Sequence, residues 1–167
     1  MLERELLLNK VYAHAGVHSL VIILDNLKYE HNIAEIFRSS EVFSVRAIYI
    51  VGTKIFGMSG SRGAIHHVPC FFFDNMQEAC KDLLSQEYKI YVFDVNATQL
   101  LHESRFPPKS AFVFGNEQLG VNFANIDSDF YQTVRIIQFG KTQSLNVSHA
   151  ASIACHEYVR GFLVEDV

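Results

Sequence analysis

The chain has 167 residues, of which 49% are hydrophobic, with 9 Gly and 3 Pro. That is enough for one substantial core, and it excludes a disordered or fibrous protein. The formal charge of −4 and pI near 6.0 argue against a wide nucleic-acid-coating surface, while the apolar runs fall well short of the ~20 residues that cross a bilayer.

The predicted elements alternate. Leu2 to Ala15 has helical spacing of apolar residues (Leu6, Leu7, Val11) ahead of Gly16, and predicts an N-terminal helix. Ser19 to Leu24, Arg46 to Val51, Lys89 to Asp94, Ala111 to Phe114 and Thr133 to Ile137 are compact β-branched and aromatic runs with polar ends. That is the pattern of parallel strands buried on both faces. Between them, Ile33 to Phe43, Asn75 to Leu84 and Val147 to Phe162 carry apolar residues at turn spacing. The expected fold class is therefore α/β, a doubly wound parallel sheet. With no linker, repeat or low-complexity tract, residues 1–167 read as a single domain: a helix over 1–16 and a core over 17–163. Leu100 to Ser110, with Pro107 and Pro108, reads as a loop.

The start of the chain lacks a cationic segment followed by a long apolar stretch, so the expectation is a soluble, cytoplasmic protein without membrane contact. Cys70, Cys80 and Cys155 are odd in number and unclustered, which favours buried reduced thiols over disulfides or a zinc site. His149 and His156, seven apart on one helix, suit packing or exposure better than metal binding, and no metal is expected. Arg38, Lys54, Arg62, His66, His67 and Lys141 are candidates for a local basic patch, although charge alone favours solvated loop residues.

Three polar segments flank these apolar runs, and polar groups gathered at strand ends are how an α/β protein builds a site at one sheet edge. The first is Asn32 to Arg38. Asn32 near a helix start can be an N-cap, whereas Arg38, a permanent cation beside Ile36 and Phe37, points to phosphate or carboxylate binding. In the second, Val113 to Gly120, the strand runs into Gly115, Asn116 and Glu117. Gly115 lets a ligand approach the backbone, Gly120 permits a turn other residues resist, and a plain turn is the alternative. The segment is neither a phosphate-binding Walker loop nor a dinucleotide fingerprint. The third, Ser144 to Ser148, alternates Ser144, Asn146 and Ser148 with Leu145 and Val147 just before the last helix. It offers hydroxyl, amide and free backbone donors to a ligand, or caps the helix.

Together and in order, from about Ser19 to Phe162, these segments resemble the three motifs of the SpoU (TrmH-like) branch of the SPOUT RNA methyltransferases. Ser144 to Ser148 is the most specific of them. The resemblance implies a parallel SPOUT sheet with a C-terminal deep trefoil knot, S-adenosylmethionine as cofactor, and a homodimer with a composite active site. The implied reaction is methylation of a ribose 2′-hydroxyl in structured RNA; tRNA is the first expectation, because a compact dimer can grip a small folded RNA, and rRNA the second, with no DNA expected. It also makes Asn32, Arg38, Glu117, Ser144 and Asn146 the catalytic group. Asp94, Val95, Gly115, Ile136 and Leu145 become cofactor contacts, largely through backbone. Ala34, Ser39 and Val121 depart mildly from the family pattern, while Ile137 and Gln138 replace a usual Pro, Met beside the implied cofactor. The alternatives are a non-catalytic RNA-binding protein on the same fold and an unrelated nucleotide-binding α/β protein.

Overall fold

A computed structural model describes residues 2–53, 57, 59–122 and 126–163; Lys54 lies outside them. Seven strands form one parallel sheet: β1 (Val21–Asp25), β2 (Ala47–Val51), β3 (Cys70–Phe73), β4 (Lys89–Phe93), β5 (Gln99–Leu100), β6 (Ser110–Phe114) and β7 (Tyr131–Arg135). Their order across the sheet is β3-β2-β1-β6-β4-β7-β5. The helices are α1 (Leu2–Tyr12), α2 (Glu30–Val42), α3 (Met76–Ser85) and α4 (Val147–Leu163). Among the described residues no helix is long and apolar enough to cross a membrane.

The central strands β1, β2 and β6 are buried along their whole length, which is why they read as continuous apolar runs. Alternate residues serve opposite faces. Ile22, Leu24, Phe112 and Phe114 pack with Ile33, Ile36 and Phe37 of α2 and Ala151, Ala154 and Tyr158 of α4. Val21, Ile23, Val92 and Val113 pack with Met76, Ala79 and Leu83 of α3. At ~1.5–3 kcal/mol for each large side chain removed from water, these two layers dominate the stability.

From β1 the chain builds outward through β2 to β3, then crosses back to lay down β4 and β6 on the other side of β1. The order reverses at the β1/β6 boundary, and the carboxyl ends of the strands there form the crevice where α/β sheets bind ligands.

Five strands and four helices were legible in advance; β3 and β5 were not. β3 is an edge strand opened by Pro69, with Phe71 and Phe72 half-exposed, and β5 has only two residues, too few for any period to show. Two boundaries differ from expectation. β7 runs from Tyr131 to Arg135 rather than from Thr133 to Ile137, because its pairing to β4 ends at Phe93 and Val134 and the apolar pair Ile136 and Ile137 leaves the ladder. α2 starts at Glu30, which puts Asn32 inside the first turn, so Asn32 is not the N-cap; Tyr29 holds that position without a side-chain cap.

Local chemistry explains the other ends. Asn75 caps α3 by accepting from Glu78 N at 2.9 Å, while its side-chain amide donates to Glu78 Oε1 at 2.9 Å. The segment read as a loop, Leu100 to Ser110, holds a short 3₁₀ turn at Leu101–Glu103 with Leu101 buried, and Tyr158 of α4 donates to Pro108 O at 2.6 Å. α1 ends at Tyr12, three residues earlier than expected. It is tied down by buried Asn9, whose amide donates to the carbonyls of Ile65 and Val68.

Candidate active site

β1 ends in Asp25, whose buried carboxylate accepts from Asn26 Nδ2 at 2.7 Å and from Asn122 N at 3.0 Å. Asn26 itself has φ of 54°, a left-handed conformation that Asn tolerates better than most residues, and this turns the chain out of the sheet. Its carbonyl accepts from Asn116 Nδ2 at 2.7 Å. The loop after β6 is thus stitched to the end of β1 and the turn that follows it at two points, through Asn122 and Asn116.

Glu117 makes the third stitch. Its Oε2 accepts from Lys28 N at 2.9 Å, and its Oε1 accepts from Tyr29 N at 3.2 Å and from Asn32 Nδ2 at 2.8 Å. Partial burial alone would raise the Glu117 pKa, but the donors from Lys28, Asn32 and Tyr29 outweigh it and hold the carboxyl below its ordinary range. A carboxylate this fully engaged positions its neighbours and has little capacity left to take a proton.

Asn32, 1% exposed, spends its amide on Glu117 and turns its Oδ1 to Asn146, which donates from Nδ2 at 3.0 Å. Asn146 is also the cap of α4: its Oδ1 accepts from Ser148 N at 2.8 Å and lies 2.7 Å from Ser148 Oγ. Ser148 Oγ reaches Glu35 Oε2 at 2.6 Å. One unbroken hydrogen-bonded chain therefore runs from Glu117 through Asn32, Asn146 and Ser148 to Glu35, and it joins all three polar segments.

Beside this chain opens a cleft of about 700 Å³. Asn32, Glu117, Ser144 and Asn146 line it, as do Asp94, Val95, Gly115, Ile136 and Leu145. Of the ten residues singled out from the sequence, nine come together here. Arg38 does not: Ile36 and Phe37 point into the core, while Arg38 is exposed outside the cleft lining, with no hydrogen bond or ion pair to any described residue. Its apolar neighbours in sequence made a solvated charge the less expected outcome, and helical geometry corrects this by turning Arg38 outward while Ile36 and Phe37 face the core.

Gly115 corrects another reading. A Cβ there would lie 2.2 Å from Gly120 C and 2.3 Å from Val121 N, so the room is taken by the loop's own returning backbone rather than by a ligand. Gly120, at φ of 71°, closes that loop by donating to Asn116 O at 2.8 Å.

Sequence reading passed over Asp25, Asn26, Glu35 and Arg135. A charged residue ending an apolar strand, as Asp25 does, was the available signal for the first. Cys80 and Cys155 are buried as expected, while Cys70 is only half-buried; burial pushes Cys70 and Cys155 up to about 12 and Cys80 to about 11, which favours the protonated thiol. His149 and His156 are exposed, and His156 stacks edge-on to Phe43 at 6.0 Å.

Fold and site together define a parallel α/β protein with a ligand cleft at the carboxyl edge, closed by three cross-bonded loops. The family is SpoU rRNA Methylase, which matches residues 19–156; the chain belongs to it. It is 29% identical over 152 residues to the 23S rRNA (guanosine-2′-O-)-methyltransferase RlmB of Xylella fastidiosa, covering 87% of this chain and 60% of that relative's length. Among solved structures, the A. aeolicus TrmH/SpoU tRNA modifying enzyme superposes with a TM-score of 0.78 at 24% identity, over 98% of this chain and 84% of that one. The SpoU methyltransferase AviRb from Streptomyces viridochromogenes, in complex with the cofactor AdoMet, superposes with a TM-score of 0.80 at 19% identity, over 88% of this chain and 62% of that one. At these identities the two structures establish the fold.

Proposed function

We propose that this protein is an S-adenosylmethionine-dependent methyltransferase acting on a ribose 2′-hydroxyl of structured RNA, with tRNA the first substrate to test and rRNA the second. The observation that carries the reading is the Glu117–Asn32–Asn146 chain, which gathers the three family motifs at the mouth of one cleft.

The cleft suits the cofactor. Its volume lies within the ~300–1,000 Å³ of small-molecule sites, and Phe93, Val95, Ile136 and Leu145 supply apolar walls beside the Asp94 carboxylate and the backbone of residues 115–120. Bound there, S-adenosylmethionine would supply a methyl group on a sulfonium, open to displacement by a nucleophilic oxygen. Asp94, Val95, Gly115, Ile136 and Leu145 are the residues proposed to hold it.

The chain's own groups divide the remaining work. Arg38, exposed and unpartnered among the described residues, is proposed to bind an RNA phosphate and to lower the pKa of the neighbouring hydroxyl through its charge. It does not act as a literal base, because a guanidinium keeps its protons. Ser144, exposed at the cleft, offers a hydroxyl to the RNA. Asn32, Asn146 and Glu117 hold the loops in register, so that the reacting oxygen is presented in line with the methyl group.

The active unit is proposed to be a cytoplasmic homodimer of single-domain chains over 1–167, with the catalytic core at 17–163. Leu119 and Phe139, exposed at 87% and 91%, are the apolar side chains a second copy would cover. Insertion of β7 between β4 and β5, which only residues 94–98 join, supports the trefoil knot.

The test is calorimetric titration with S-adenosylmethionine beside light scattering for mass, followed by labelled methyl transfer to total tRNA and rRNA with analysis for 2′-O-methyl nucleosides. One cofactor per subunit of a dimer, and labelled product, are expected. Absence of cofactor binding would move the reading to a non-catalytic RNA-binding protein on the same fold.

A further inference from the structure

Several polar groups of the cleft are engaged with their neighbours. Glu117 is saturated by backbone and amide donors, Asn32 and Asn146 are paired, and Asp94 turns Oδ1 back to Asn96 N at 2.8 Å. Arg135 is different. It is the only Lys or Arg among the described lining residues, it sits at the carboxyl end of β7, and its Nε is buried without a partner among the described residues. It makes no hydrogen bond or ion pair with any described residue.

That isolation is not for want of a neighbouring carboxylate. Phe93 of β4 pairs in register with Val134 of β7, so Asp94, just past β4, follows beside Arg135, the last residue of β7, yet they form no ion pair. Leaving a buried cationic donor unsatisfied is costly, and folded proteins retain few such groups without a purpose. Arg135 is half-buried among the residues that line the cleft, and a guanidinium fork can grip a planar anion with two parallel bonds.

We propose that Arg135 anchors the carboxylate at the amino-acid end of S-adenosylmethionine. The inference rests on the cofactor reading of the cleft given above. That carboxylate is the ligand's one anionic group, and Arg135 is the one Lys or Arg among the described residues that line its proposed cleft. An RNA phosphate is the less fitting partner, because a group whose Nε is closed to solvent lies on the wall of the cleft, whereas the polymer backbone meets the outer surface where Arg38 stands.

The test compares two ligands that differ only in this group, S-adenosylmethionine and its decarboxylated form, by calorimetry without RNA or turnover. The wild-type protein should prefer S-adenosylmethionine by about ten- to hundredfold, the usual worth of a charge-assisted hydrogen bond. Arg135→Gln should bind the decarboxylated ligand as wild type does and lose the preference; Arg135→Lys should keep part of it. Equal wild-type affinity for both ligands, or an equal loss for both in Arg135→Gln, overturns the proposal. If wild type binds neither ligand, the cofactor reading falls and this inference with it. If wild type binds S-adenosylmethionine and Arg135→Gln keeps the full preference, only this inference falls. Should Arg135→Gln not fold, the wild-type comparison and the Lys variant decide.

Discussion

The side-chain amide of Asn32 donates to the carboxylate of Glu117 at 2.8 Å across 85 residues of sequence, and the same Asn32 accepts from Asn146 at 3.0 Å. Asn32 therefore has both ends of its amide specified, and any change at Glu117 or Asn146 is felt through it.

Glu117→Ala strips the acceptor from Lys28 N, Tyr29 N and the Asn32 amide at once. Leaving such donors unpaired costs about 1–3 kcal/mol. Urea denaturation should show a midpoint lowered accordingly, with little change in slope. Glu117→Gln, which keeps one carbonyl acceptor, should recover about half of that loss.

The same carboxylate sets a pH dependence. Its pKa is lower in the folded chain than the ~4.3 of an unfolded Glu. Its contribution to stability is thus complete above the unfolded value and is lost as pH falls through the folded one. Between pH 7 and pH 3, wild type should lose more stability than Glu117→Gln, as read from urea midpoints across that range; parallel curves for the two proteins would contradict the assignment.

Asn146 does two jobs that one substitution can separate. Asn146→Asp keeps the oxygen that accepts from Ser148 N, and so the α4 cap, but has no N–H to give Asn32 Oδ1. The α4 cap should survive, but a carboxylate oxygen facing the buried Asn32 Oδ1 should lower the stability read from thermal melts by the cost of an unpaired acceptor, about 1–3 kcal/mol, and methyl transfer should fall by an order of magnitude or more. Asn146→Ala should lose the cap as well.

Arg38 contributes nothing visible to the fold, because it is exposed and bonds to no described residue. Arg38→Ala should unfold within about 0.5 kcal/mol of wild type, yet lose about 10²-fold or more in methyl transfer if its charge acts on the reacting hydroxyl. A full rate would remove Arg38 from the mechanism.

The two glycines of the loop after β6 should respond unequally. Gly115→Ala places a Cβ 2.2 Å from backbone and has to push the loop open, so both stability and cofactor binding should drop sharply. Gly120→Ala meets no atom within 4 Å and incurs only the strain of a left-handed backbone, about 1–2 kcal/mol. Circular dichroism melts and calorimetry on the pair distinguish the two causes.

What could be read from sequence follows the physics of each element. β1, β2 and β6 announce themselves because burial on both faces makes them continuously apolar. β3 was missed although Phe71, Phe72 and Phe73 favour strands, since an edge position beside Pro69 blurs the alternation. At the site, residue types at strand ends were visible. The partners of Glu117 were not, because two of them are backbone N–H groups of Lys28 and Tyr29, which carry no side-chain signature. Gly115 was assigned to ligand approach because sequence cannot show that the chain returns to fill the same space.

The bonds that assemble the site, Asn32 to Glu117, Asn32 to Asn146 and Glu35 to Ser148, span 85, 114 and 113 residues. Contacts so distant along the chain form only after large loops have closed, so during folding the cleft takes shape after the helices and nearest strand pairs exist. The order reverses on loosening: detachment of the first turn of α4 releases Asn146 and Ser148 together and dismantles the site while β1, β2 and β6 remain paired. Proteolysis or hydrogen exchange at that turn would therefore report loss of competence before loss of structure.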